Sequence, residues 1–138
     1  MKYVIAAVLL ALAAVAIPNL QTAMQRSDQK RTMADMRTIA TAWEARAEDR
    51  NTYLVGRPGI VSYQELRWVL EPTYAKHLPS DDGWDNPFIF TSSDQNYSIR
   101  AIVADHQLDA HLVLGATTDF DCDIVYTNGT FIAYPEGI

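Results

Sequence analysis

The chain has 138 residues, 49% of them apolar and 20% charged, enough for one domain plus one extra element. Its formal charge of -6 is uneven: residues 1–50 hold seven Lys/Arg against five Asp/Glu, and residues 51–138 hold four against twelve. An acidic body repels phosphate and disfavours nucleic-acid binding, and the single cysteine, Cys122, excludes an intrachain disulfide and any CxxC metal or redox motif.

The first element is apolar. From Tyr3 to Ile17 there is no charge and no polar side chain except the Tyr3 hydroxyl; Pro18, Asn19 and Leu20 follow. Three readings fit: a secretory signal peptide with Lys2 as its charged start and Ala14-Val15-Ala16 as a small-residue cleavage site, a transmembrane anchor, or an anchor that leaves the bilayer and packs into a filament core. Val4 to Ile17 spans roughly 21 Å as a helix, short of a bilayer core of ~30 Å, so a permanent lone anchor fits worst.

The helix is expected to continue past Pro18. Residues 19–50 contain no glycine and no further proline and are dominated by good helix formers. Met33, Met36, Ala40, Trp43 and Ala47 recur at alternating spacings of three and four, which is one apolar stripe; Arg37, Glu44, Arg46, Glu48 and Asp49 are assigned to the opposite face. A helix over residues 2–49 is roughly 72 Å long, more than a body of about 90 residues can cover, so its first half needs partners elsewhere. Pro18 removes one backbone hydrogen bond and is expected to kink or loosen the helix.

Turn residues in Asn51–Gly59 end the helix, and Gly56-Arg57-Pro58-Gly59 reads as a turn without the GK[ST] of a phosphate loop. Ser62-Tyr63-Gln64-Glu65 is a capping box that opens a short helix to about Leu70, with Leu66, Val69 and Leu70 inward and Glu71-Pro72 as its stop. Two antiparallel pairs are expected next: Phe88–Thr91 with Tyr97–Val103, and Ile124–Tyr126 with Thr130–Ala133 about an Asn128-Gly129 turn. The sheet is expected to pack on the second half of the long helix. The predicted fold class is therefore α+β, a long helical stem packed on a small antiparallel sheet, divided into residues 1–25 (apolar helix) and 26–138 (head).

Between the two strand pairs lies an acidic stretch, Asp105 to Asp123, read as an irregular loop of functional length. Asp105, Asp109, Asp119, Asp121 and Asp123 supply hard oxygens of the kind Ca²⁺ takes, although they form no EF-hand pattern; solvated surface charge and a strand edge with outward acids are the competing readings. Asp81, Asp82 and Asp85 read as solvated loop carboxylates, with Trp84 turned into the body. Catalytic constellations are thin. His77, His106 and His111 form no HExxH, no GxSxG occurs, and Cys122 between Asp121 and Asp123 is expected to be an unreactive thiol. No enzyme activity and no catalytic residue is assigned.

The run ending in Ala16-Ile17-Pro18-Asn19-Leu20, followed by a polar amphipathic helix, resembles type IV pilins and the major pseudopilins of type II secretion. Leu78-Pro79-Ser80-Asp81-Asp82-Gly83-Trp84-Asp85-Asn86-Pro87-Phe88 is similar to the "LP-x-D-x-W-G-N-P-Y" segment of that family. Tyr97-Ser98-Ile99-Arg100 sits where the family has a core strand, and Asp123–Gly129 with the Pro135-Glu136-Gly137 ending resembles a subset of pseudopilin-like proteins. One feature departs. The family carries a glutamate at its fifth mature position after a Gly-ended leader, and alignment on Pro18 puts Met1 there. Either the opening residues and leader lie outside this sequence or the chain does without that carboxylate.

The resemblance implies a bacterial filament subunit, held in the inner membrane before assembly and exposed at the cell surface or outside it afterwards. Its partners are then copies of itself, the membrane, an inner-membrane assembly platform and an assembly ATPase. The filament core is assigned to Tyr3, Val4, Ile5, Val8, Leu9, Leu10, Leu12, Val15, Ile17, Pro18 and Leu20. Calcium in the acidic loop is implied by the same resemblance. The competing function is a secreted soluble domain, cut near Ala16, that binds a cation or a basic partner through that loop.

Overall fold

A computed structural model describes residues 2–109 and 114–136, and the side-chain surroundings of these except Ala13, Val15 and Ala16. Helix α1 runs without interruption from Lys2 to Arg50 and passes through Pro18. At 49 residues it is roughly 73 Å long. Its end is set by Asn51, which adopts a left-handed φ of 57° and donates its backbone N–H to the Ala47 carbonyl at 2.7 Å. Asparagine tolerates that conformation better than most residues, so the chain can turn sharply there.

Helix α2, Tyr63–Leu70, begins as its sequence predicts. Ser62 is extended, and its hydroxyl accepts the Glu65 backbone N–H at 3.2 Å. Leu66 and Leu70 are buried, Val69 is half-buried, and the chain leaves helical angles at Glu71.

The sheet corrects the expectation of a small antiparallel head. It has six strands and is mixed, in the order β1-β2-β3-β5-β6-β4. The expected pairs are present as β2 (Ile89–Ser92) with β3 (Tyr97–Ala101), and β5 (Ile124–Thr127) with β6 (Thr130–Pro135). Antiparallel pairing of β3 with β5 joins them. Asn128 and Gly129 both take positive φ in the turn between β5 and β6, as a two-residue hairpin requires. Two short strands were not visible in the pattern. β1 (Gly59–Val61) begins on the last residue of what reads as a turn and pairs with β2, and β4 (Gly115–Thr117) runs parallel to β6 from within the acidic stretch. Three residues carry too little alternation to be read as a strand, and Gly-Ala-Thr has almost no apolar face. Strand β3 also stops at Ala101 rather than Val103, because Val103 enters a 3₁₀ turn, Val103–Asp105, with positive φ.

The core lies between this sheet, α2 and the second half of α1. Met33, Met36, Ile39, Ala40 and Trp43 from α1 meet Phe90, Tyr97 and Ile99 from the sheet and Leu66 and Leu70 from α2. Trp43 stacks against Tyr97 with ring centres 4.9 Å apart, and its indole N–H donates to the Tyr53 carbonyl at 2.9 Å. Ala47, the last residue of the predicted stripe, is half-buried. Glu44 and Arg46 depart from their assignment to the outer face. The Tyr97 hydroxyl donates to Glu44 at 2.6 Å, and Arg46 donates to the Leu54 carbonyl at 3.2 Å. Burial and the Glu44 carboxylate push the Tyr97 phenol far above its ordinary pKa, so it stays a neutral donor.

Candidate functional site

Two regions carry the sequence-predicted function: the first half of α1 and the acidic stretch. They differ in how far the fold completes them.

The first half of α1 is left open. Tyr3, Val4, Ile5, Val8, Leu9, Leu10, Leu12, Ile17 and Leu20 are all exposed, Tyr3 at 91% and Leu10 at 72%. Pro18 is exposed between them, and Val15 lies outside the described side chains. The residues point to every side of the helix, so no single flat surface of the head can cover them. Met24 prolongs the apolar length, and Tyr3–Met24 as one helix is roughly 33 Å. That exceeds the length expected from the apolar run alone. By length and composition α1 is apolar enough to cross a membrane: an 18-residue window averages a hydropathy of 2.3, and none of it is buried within the chain. A signal-like segment has the same properties. The boundary of the open region is chemical. Arg26, Lys30 and Arg31 follow it, and Gln29 is the first buried residue among those described, beside a cleft of about 290 Å³ that Thr117, Phe120 and Pro135 complete.

The loop Leu78–Phe88 clamps α1 to the head. Asp82 is wholly buried, which corrects its reading as a solvated carboxylate. One of its oxygens accepts the backbone N–H groups of Trp84 and Asn86 at 2.8 and 3.0 Å. The other accepts the Val103 N–H at 3.0 Å, and the Asn86 amide reaches the Val103 carbonyl at 2.7 Å. Together these hold Val103 in a backbone conformation that β-branched residues avoid. Next to Asp82, the Gly83 N–H donates to the Thr32 hydroxyl on α1 at 2.8 Å. A Cβ on Gly83 would lie 2.6 Å from the Asp28 carbonyl oxygen, so only glycine permits this approach. Asp81 and Trp84 are half-buried and Asp85 is exposed.

The acidic stretch divides its five aspartates. Asp109 and Asp123 come together: each carboxylate accepts the other residue's backbone N–H, at 2.7 and 3.1 Å. Arg100 on β3 donates to Asp123 at 2.6 Å and to the Asp109 carbonyl at 3.0 Å. Asp119 and Asp121 are exposed, with the Asp121 N–H on the Asp119 carboxylate at 2.9 Å, and Asp105 accepts the Gln107 N–H at 3.0 Å. Among the described residues, no three His, Cys, Asp or Glu side chains gather closely enough to hold a metal ion. Asp123 is answered by Arg100 instead. Burial nevertheless raises its pKa more than Arg100 and the Asp109 N–H lower it, and its second oxygen is buried with no hydrogen-bond partner among the described residues. The stretch is not the structureless loop expected, since it begins on the last residue of the 3₁₀ turn and contains β4.

The remaining candidates are dispersed. His77 and His106 are exposed, with the His106 ring against the Asn86 side-chain oxygen; His111 and Gly137 lie outside the described residues. Burial, with Asp119 and Asp109 nearby, raises the Cys122 pKa, which keeps the thiol protonated and a poor nucleophile. In comparisons with protein-family models, curated proteins and solved structures, nothing matches this chain.

Proposed function

We propose that this chain is the structural subunit of an extracellular helical filament of the type IV pilin and pseudopilin class, and that its work is packing rather than catalysis. The carrying observation is the contrast along α1: the head completes its own core, while among the described residues nothing covers the apolar side chains of Tyr3 to Leu12, Ile17 and Leu20. An apolar helix of that kind requires a bilayer or apolar neighbours. The resemblance of the Ala16–Leu20 and Leu78–Phe88 segments to pilins and pseudopilins favours neighbours of the same kind.

In this reading the stems bundle in the filament core and the acidic heads face outward. If each stem buries about 1,000 Å², the gross gain is on the order of 25 kcal/mol, against which leaving the bilayer and the entropy of association count. A contact between unlike faces of identical subunits, with a rotation that does not close into a ring, propagates as a helical polymer. The inner membrane holds the subunit before assembly, and an assembly platform with its ATPase drives extraction. The bacterial surface is where the fibre ends up.

Electron microscopy of native material, with intact mass of the same sample, tests the proposal. Filaments whose subunits retain Tyr3 to Leu20 are expected. A dispersed globule that starts near Ile17 would instead identify a secreted soluble domain, and an intact chain that never leaves the membrane would identify a lone anchor.

A further inference from the structure

Helix α2 buries Leu66 and Leu70 and turns Trp68 the other way. The indole is 87% exposed, on a head whose other large aromatic side chains are buried or partly buried against the core. A cleft lies on each side of it. One, of about 600 Å³, is bounded by Gln64, Arg67, Glu71 and Pro72. The other, of about 450 Å³, is bounded by Val55, Gly56 and Val69, and Gln64 and Trp68 belong to both. Gln64 precedes Trp68 by four residues, so its amide stands one helical turn from the ring.

The polar side of the site is braced. Arg67 Nε donates to Glu71 at 3.0 Å, and the other Glu71 oxygen accepts the Leu78 backbone N–H at 2.6 Å. These bonds hold the Glu71 pKa below its ordinary value. They also fix the guanidinium in place, while among the described residues its terminal nitrogens and the Gln64 amide have no protein partner. Those groups are donors and an acceptor in set positions beside a flat apolar ring.

Scale selects the occupant. A stable protein interface buries about 1,000 Å² or more around an apolar centre, whereas Gln64, Glu65, Arg67 and Glu71 ring Trp68 and only Val55, Val69 and Pro72 add apolar lining. Clefts of this size suit a small ligand. Charge selects it further. Arg67 and Glu71 neutralise one another, and Glu65 beside the ring, with the acidic body, disfavours anions. An indole face, the Gln64 amide and the Arg67 terminal N–H groups complement a neutral molecule with a flat C–H face and hydroxyls at its rim.

We propose that Trp68 and its two flanking clefts bind a neutral oligosaccharide, with one pyranose ring stacked on the indole and hydroxyls hydrogen-bonded by Gln64 and Arg67. The site is confined to the head and does not depend on filament formation.

The full chain in phosphocholine-detergent micelles, which present no sugar, provides the test. The indole N–H resonances of Trp43, Trp68 and Trp84 are followed during titration with tetramers of β-1,4-glucose, β-1,4-N-acetylglucosamine and α-1,4-glucose, with a galacturonate tetramer as the anionic control. At least one neutral probe is expected to shift the Trp68 signal saturably in the millimolar range and leave Trp43 unmoved. Trp68→Ala should abolish binding and Trp68→Phe should weaken it about tenfold, or ~1.4 kcal/mol. The Trp43 signal confirms that each variant is folded. No saturable shift with any neutral probe at ~20 mM, far above a millimolar dissociation constant, overturns the proposal. So does preferential binding of galacturonate. A Trp68 signal that moves only with protein concentration also overturns it and assigns the surface to a second copy.

Discussion

The two halves of α1 are made of one continuous helix and solve opposite problems. In the second half, apolar residues form one stripe, and a single sheet with α2 covers it: Met33, Met36, Ile39 and Trp43 are all at or below 1% exposure. In the first half apolar residues occupy every face, and nothing among the described residues covers them. A stripe asks for one partner surface, whereas a full circumference asks for a surrounding medium. The first half is therefore addressed to something outside the chain, and the second half ties that address to a folded head.

Substitutions that separate the halves should break this comparison if it is mistaken. The largest effect is expected from Leu9→Asp combined with Leu12→Asp. Each aspartate costs about 3 kcal/mol in the middle of a bilayer span, and both residues project from the uncovered half. Membrane sedimentation and filaments should be lost while the melting temperature of the head stays constant; a head that melts earlier would mean the stem supports the fold. Trp43→Ala should do the reverse. Removing a fully buried tryptophan costs about 3–5 kcal/mol, visible as a lower melting temperature, with membrane partition of the folded fraction unchanged.

Two smaller changes sharpen the boundary. Gly83→Ala forces a methyl group against the α1 backbone at Asp28 and should destabilise by about 1–3 kcal/mol in chemical denaturation. Thr32→Ala removes the hydroxyl that accepts the Gly83 N–H at 2.8 Å and donates to the Asp28 carbonyl at 2.7 Å, along with a buried methyl group, and should cost about 1–2 kcal/mol. The smallest effect concerns Asp123, whose folded pKa is raised above its ordinary 3.8. A raised acid contributes its stability in full below the unfolded value and loses it as pH rises through the folded value. Asp123→Asn should therefore flatten the fall in melting temperature over that window and leave stability at pH 7 no lower than the parent. A steep loss at pH 7 would mean that the Arg100 ion pair outweighs burial.

Features with a long period were legible in the sequence. The extent of α1, the Met33-to-Trp43 stripe, the Ser62 cap and the Asn128-Gly129 hairpin each follow from a repeated pattern or from turn chemistry. What escaped depends on contacts between distant residues. Strands β1 and β4 are three residues each and exist because β2 and β6 offer them open edges. Asp82 reads as a solvated acid until Val103, twenty-one residues later, supplies an N–H to its carboxylate. Glu44 reads as an outer-face charge until Tyr97 reaches it across the core. The five loop aspartates look alike in sequence, and only Arg100 separates Asp123 from the rest. Trp68 could have been noticed: it follows Arg67 and sits between the inward positions Leu66 and Leu70, where an aromatic on the outer face is unusual.

The claim that copies of the chain shelter the stem is tested most directly by proximity. With Cys122→Ser removing the native thiol, Val8→Cys places one sulfur in the middle of the uncovered belt. Mild oxidation of native material should convert most of the protein to disulfide-linked dimers, while a cysteine at exposed Thr73 on the head should link far less. Monomers alone, with the Val8→Cys thiol still fully open to a lipid-soluble maleimide, would contradict the account and leave the stem among lipids rather than among its own kind.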